Sequence, residues 1–278
     1  MTTTADPSAG RQAPSTVWAL GDYPRLAREV LAGLGPPLVQ ECGVRSGQRV
    51  LDVAAGTGVA ALPAAATGAR VTAVDITPEL LAAGRAEAER LGLEVEWREG
   101  DAQDLPFAEG EFDVVLSSIG AMFAPDHQRT ASELLRVCRP GGVVGMVNWT
   151  PGGSIGKFFR VFAPYSAPPP PDAPSPLAWG TPQYVAGLFG DRVSSLRIRP
   201  GVLPVDRFPD PAAFCAYYKQ VFGPTIAAYA GIAGDPQRVA GLDRDFLAYA
   251  QRHNLAGPGE SARYGYDYLL VVAVRAGR

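Results

Sequence analysis

Histidine is scarce in this chain, with two in 278 residues, and cysteine nearly so, with three. Cys42, Cys138 and Cys215 are scattered, no C-x-x-C occurs, and the histidines stand far apart, so neither a zinc site nor a disulfide framework is expected. Three isolated thiols suit buried residues in a reducing compartment. Basic residues do not dominate either. Lys and Arg number 25 against 28 Asp and Glu, a net charge of −3, and no Lys/Arg cluster offers a footing for nucleic acid. Arg197, Arg199 and Arg207 are too sparse for that and read as a solvated strand edge. No apolar run reaches the length of a membrane span. The opening M-T-T-T-A-D-P-S-A-G has neither the charged nor the apolar region of a secretory signal, so the expected location is the cytoplasm. No internal repeat is found.

What is present is concentrated in Arg49 to Gly58, R-V-L-D-V-A-A-G-T-G. Val50, Leu51 and Val53 form a short apolar run suited to a strand buried on both faces of a parallel sheet. Asp52 interrupts it, and an acid there is costly unless it is paired. Gly56 and Gly58 turn the chain and remove two side chains, so a ligand can approach the backbone, and a helix beginning after them aims free N–H groups at the same place. The next strand, Arg70 to Val74, ends at Asp75, followed by Ile76. An acid at that tip, about 20 residues past the glycine turn, is placed to take ribose hydroxyls. The turn also fits a loose G-x-G-x-x-A, so spacing leaves a dinucleotide and a nucleoside site both open.

Later features narrow the choice. Gly100-Asp101-Ala102 closes a third strand, Val95 to Glu99. Leu105-Pro106-Phe107 and Phe112-Asp113 lead into a fourth, Val114 to Ser117, and Arg139-Pro140-Gly141-Gly142 turns into a fifth, Val143 to Trp149. In this order the motifs resemble the class I S-adenosylmethionine-dependent methyltransferases, in particular the group of the ubiquinone/menaquinone-biosynthesis methyltransferases. The resemblance covers Gln48 to Trp149; relatives usually carry a small residue or Cys where Ala55 stands, and L-D-V-A-A-G-T-G is a mild variant of their form. It implies S-adenosylmethionine as cofactor and S-adenosylhomocysteine as product. It also implies roles: Asp75, with Ile76 beside it, at the ribose; Asp101 and the Ala102 amide at the adenine; Ala54, Gly56, Thr57 and Gly58 near the methionine end. Asp52 would hold the turn or meet the ammonium, and Ser118 lies where relatives contact the cofactor.

The expected architecture is α/β, a doubly wound, Rossmann-like, mostly parallel seven-stranded sheet with an antiparallel last strand and a helical lid and insertion. Residues 1–15 read as a disordered tail and 16–46 as an N-terminal helical lid. Residues 47–150 read as the cofactor-binding core, and 151–278 as a substrate-covering insertion plus the last two strands, written as a closing hairpin. Asp22 can cap a helix with Pro24 in its first turn, and related proteins carry a similar W…G-D-Y stretch, which makes Trp18 and Tyr23 candidates to close over the cofactor. Thr77 and Thr181 are expected helix caps.

Between the fifth and sixth strands the chain is unusually aromatic (Phe158, Phe159, Phe162, Trp179), and the helix of Phe214, Tyr217 and Tyr218 is counted with it. The expected acceptor is therefore a flat, largely apolar small molecule. His127 is the candidate general base, against the simpler reading of a helix-end histidine. The expected reaction is transfer of a methyl group to O, N or C. Alternatives are a non-methylating enzyme such as a cyclase using the same site, an NAD(P)-dependent oxidoreductase, and a non-catalytic binding protein. No metal, nucleic-acid partner or stable membrane association is expected, and oligomeric state is unreadable.

Overall fold

Every strand that the hydrophobic pattern marks is present, and their order explains the position of the site. The computed structural model describes residues 14–170 and 172–277. The expected tail therefore falls outside the described residues as far as 13, and Pro14 already begins the first helix, α1 (Pro14–Ala19). There follow α2 (Tyr23–Leu26), which runs into a π-turn over Ala27–Leu31, and α3 (Gly35–Glu41). The core then alternates β1 (Arg49–Val53), α4 (Ala61–Ala66), β2 (Arg70–Asp75), α5 (Pro78–Leu91), β3 (Val95–Glu99), β4 (Phe112–Ser118), α6 (His127–Val137) and β5 (Cys138–Trp149). Beyond it lie α7 (Ser154–Phe162), α8 (Pro182–Phe189), β6 (Val193–Phe208), α9 (Pro211–Val221), α10 (Gly223–Ile232), α11 (Pro236–Arg252) and β7 (Ala262–Arg275).

The seven strands form one sheet in the order β3-β2-β1-β4-β5-β7-β6. β1 pairs in parallel with both β2 and β4, so the winding reverses beside β1, and the crevice at the carboxyl ends opens there. β7 runs antiparallel to both neighbours, which leaves it the one reversed strand of seven. β6 and β7 pair closely but are not a hairpin: α9, α10 and α11 lie between them in the chain. The aromatic helix α9 accordingly lies between the sixth and seventh strands, not the fifth and sixth.

The sheet is buried where it is flanked by helices. Val50, Leu51 and Val53 of β1 and Val115 and Leu116 of β4 have no exposed surface. In α5, Leu80, Leu81, Gly84 and Ala88 face inward as the 3.6-residue period requires, but Leu91 in the last turn is exposed. Capping falls to aspartate rather than threonine. Asp22, Asp126, Asp210 and Asp235 each accept a backbone N–H from the first turn of their helix, whereas Thr77 and Thr181 occupy cap positions without making a side-chain bond. No helix among the described residues is long and apolar enough to cross a membrane.

Candidate functional site

Five strand ends converge on one internal cavity of about 240 Å³. Ala54 and Gly56 follow β1, Asp75 ends β2, Asp101 follows β3, Ser118 ends β4 and Trp149 ends β5, and all six line it. Thr57, Ile76, Ala102 and Tyr23 line it too. Nine of the expected binding residues (Tyr23, Ala54, Gly56, Thr57, Asp75, Ile76, Asp101, Ala102, Ser118) are thus brought together by the fold. Asp52, Gly58 and His127 are not on the wall.

Asp75 is the centre of this end. Its carboxylate is buried, and it accepts the Gly56 N–H on Oδ2 at 2.8 Å and the Thr77 N–H on Oδ1 at 2.9 Å. Burial pushes its pKa upward, and the two N–H donors pull the other way. Each oxygen retains acceptor capacity beyond its one backbone bond. Asp101 is held differently. Its Oδ1 accepts the Gln103 backbone N–H at 2.8 Å and the Gln103 side-chain amide spans both carboxylate oxygens at 3.1 Å. Gln103 in turn accepts the Asp126 N–H at 2.9 Å, tying the acid to the start of α6. Nothing in the sequence pattern singled out Gln103.

The backbone around the cavity is contorted where ligand approach needs it. Ala54 has φ +52° and Ile119 φ +66°, left-handed values that non-glycine residues rarely take, and both line the cavity. The bends after β1 and β4 meet here. A side chain at Gly120 would strike the Ala54 carbonyl at 2.1 Å, so the two turns touch backbone to backbone. Ser117 Oγ fixes the pair by donating to Val53 O at 2.8 Å and accepting from Ala121 N at 3.0 Å. The neighbouring Ser118 Oγ is buried without a partner and faces the cavity residues.

Two of the expected site residues lie behind the cavity wall. Asp52 is fully buried, and its Oδ2 accepts the Ala61 N–H at 2.8 Å, so it anchors the start of α4 to β1. Its Oδ1 has no partner, and burial pushes the pKa up to about 8, with nearby Asp75 adding to the rise. Of its two expected roles, holding the turn is the one this geometry supports. Gly58, at φ +91°, leaves space for Trp97: a Cβ there would lie 2.9 Å from the indole ring. Its glycine serves packing behind the turn, not access to the cavity.

His127 is the third displaced residue. It opens α6, and its Nδ1 shares a hydrogen bond with the Tyr184 hydroxyl at 2.8 Å while its ring packs 5.6 Å from that of Trp179. Burial lowers its pKa, with Asp126 opposing. It borders an open surface cleft with Gln183 and Tyr184, which meets the strand-end cavity at Gln103 and Pro125. Sequence position, about ten residues past β4, carried no information on which side of α6 the ring would emerge.

The opposite wall is aromatic. Trp18 and Tyr23 come from the N-terminal helices, Phe123 from the turn after β4, and Phe158 and Phe159 from α7. Tyr218 of α9, Phe222, and Tyr266 of β7 complete it. Phe162, Trp179, Phe214 and Tyr217 are core instead: all are buried, and none reaches the cavity. Among the described residues no group of three or more His, Cys, Asp or Glu is arranged to hold a metal. Carboxylates at neighbouring strand tips, an unpartnered serine and an open glycine turn fit a nucleoside with a polar tail.

The comparisons decide the family. A methyltransferase-domain family matches residues 51–146, the stretch that supplies every strand-end residue from Asp52 to Ser118. A demethylmenaquinone methyltransferase of Thermus thermophilus is 34% identical over 173 residues, 61% of this chain and 71% of that one. The chain belongs to the class I S-adenosylmethionine-dependent methyltransferases. S-adenosylmethionine is its cofactor. An uncharacterized protein of Mycobacterium tuberculosis is 49% identical over 271 residues, 96% of this chain and 97% of its own length, so the similarity there extends through the helical cover. Among solved structures, the YcgJ protein from Bacillus subtilis matches with a TM-score of 0.60 over 89% of this chain and 98% of that one. At 18% identity it speaks for the fold alone.

Proposed function

We propose that this methyltransferase transfers the methyl group of S-adenosylmethionine to a small, largely apolar or aromatic acceptor. One observation carries the reading: the strand-end acids and the aromatic wall line a single cavity, so cofactor and acceptor would share one space. When bound, S-adenosylmethionine supplies a methyl group already activated on sulfur, which leaves the chain the tasks of positioning and excluding water.

In this reading the spare acceptor capacity of Asp75 takes the ribose diol, with Ile76 as its apolar flank. Asp101, braced by Gln103, and the Ala102 N–H take the adenine edge. Ala54, Gly56 and Thr57 receive the amino-acid tail, the free Ser118 Oγ is at hand beside them, and Tyr23 covers the cofactor. Asp52 and Gly58 act on the turn from behind. No histidine lines the cavity, and burial pushes the Tyr23, Tyr218 and Tyr266 hydroxyls upward. These residues favour an acceptor that arrives with its nucleophile already unprotonated. A small molecule rather than nucleic acid also accords with the net charge of −3.

The test has two parts. Calorimetry with S-adenosylhomocysteine is expected to show binding that falls at least tenfold in Asp75→Ala, since charge-assisted hydrogen bonds are worth roughly 1.5–3 kcal/mol each. Unchanged affinity would remove Asp75 from the cofactor site. Mass spectrometry of the acceptor product is then expected to show the gain of one methyl group. An isomer of unchanged mass would mark non-methylating chemistry in the same site.

A further inference from the structure

The aromatic wall contains one polar device that the cofactor assignment does not use. Tyr218 and Tyr266 both line the cavity, both are buried, and their hydroxyls share a hydrogen bond of 2.6 Å. Two hydroxyls hold two protons, and that bond uses one. Among the described residues neither hydroxyl has a second partner, so a buried O–H donor is left without an acceptor. Buried donors are rarely left so in a folded chain, and one on a cavity wall calls for an acceptor atom on a ligand.

The charge of the surroundings limits what that ligand is. No lysine, arginine or histidine is among the lining residues, whereas Asp75 and Asp101 are. Arg28 borders a separate cleft behind Thr57, with Glu87 beside it. A carboxylate or phosphate entering among Trp149, Phe158 and Phe159 would lose its water and find no counter-charge. A cationic acceptor would have to share the cavity with a sulfonium. The surviving class is an uncharged, flat molecule presenting an oxygen as hydrogen-bond acceptor.

Resting on the methyltransferase reading above, we infer that the Tyr218–Tyr266 hydroxyl pair is the specificity-determining element of the acceptor site, donating its spare proton to an uncharged oxygen of a flat apolar acceptor and leaving anionic acceptors outside. Tyr218 on α9 and Tyr266 on β7 belong to the part of the chain beyond the methyltransferase-domain match, which ends at 146.

The matched probes are 2-naphthol, naphthalene, 2-naphthoate and 2-naphthylmethylammonium, titrated calorimetrically into full-length protein saturated with S-adenosylhomocysteine, naphthalene by displacement. The wild type is expected to bind 2-naphthol at least tenfold more tightly than either charged probe. Tyr218→Phe/Tyr266→Phe, which removes both donors at constant ring volume, is expected to weaken 2-naphthol about fivefold, the worth of one hydrogen bond, and to leave naphthalene unchanged. S-adenosylhomocysteine affinity of the double variant reports that it is folded, and the wild-type series decides by itself if it is not. Naphthoate binding as tightly as naphthol, or a naphthol-to-naphthalene ratio untouched by the double substitution, overturns the inference while leaving the cofactor site standing. Failure of the wild type to bind S-adenosylhomocysteine overturns the underlying reading instead.

Discussion

Asp52 and Asp75 show how two acids of the same motif divide into support and cavity wall. Both are buried at strand ends, but Asp75 has two backbone donors and a cavity, and Asp52 has one donor, an unpartnered oxygen and no cavity. Burial raises the Asp52 pKa to about 8, well above the ordinary carboxyl value of about 4. The folded protein therefore holds a proton there that the unfolded chain has released. By linkage, Asp52 costs no stability below pH ~4, costs progressively more as pH rises from ~4 toward 8, and levels off above that. Asp52→Asn keeps an oxygen for the Ala61 N–H and removes the titration. Its melting temperature is expected to decline less than that of the wild type between pH 5 and pH ~8.5, as followed by calorimetric scans. Parallel declines would mean Asp52 is ionised in the folded state.

At the scale of elements, the cavity is closed by a seam between the N-terminal helices and the junction of α9 and α10. Gly21 and Gly223 form it. A Cβ at Gly21 would meet Val221 O at 2.4 Å, and one at Gly223 would meet Val17 O at 2.1 Å. Backbone thus touches backbone, which only glycine permits. The same helices are held lower down by Glu29, which receives Arg25 at 3.1 Å and also pairs with Arg207 of β6, while both guanidiniums lie over the Tyr217 ring. The π-turn over Ala27–Leu31 brings Ala27 and Leu31 onto the cavity wall between these two fastenings. Gly223→Ala is expected to force the seam apart, destabilising the protein by roughly 1–3 kcal/mol and speeding dissociation of S-adenosylhomocysteine. Stopped-flow release and thermal melting measure the two effects, and an unchanged off-rate would show that the seam does not control access.

For the whole molecule, the consequence is that the cavity is walled jointly by the sheet, the N-terminal helices and the helical cover, so a ligand filling it would bridge all three. Hydrogen exchange with and without S-adenosylhomocysteine is expected to show slowing at 54–57, 75–76 and 100–102, and also at 17–31, α7 and 218–223. Saturation at about 100 times Kd is expected to add about 2.7 kcal/mol to the unfolding free energy. Protection confined to the strand tips would show that the helices over the cavity move independently of the bound cofactor.

The sequence by itself determined the sheet, its winding and the acids at its tips, because these depend on local pattern: β-branched runs, glycine turns and carboxylates at set intervals within contiguous βα units. Tertiary structure decided the rest, for reasons of direction and distance. His127 was expected at the reacting centre, but the rotation of α6 turns it toward Tyr184. Gly58 serves a tryptophan 39 residues further on, Trp97, that no spacing rule connects to it. The aromatic wall includes Trp18, Phe158, Tyr218 and Tyr266, residues drawn from four distant segments, and only packing decides which of many similar rings face a cavity and which fill the core. Linear pattern reports what a short segment prefers; which side chains meet across the chain is set by the closed shape those segments make together.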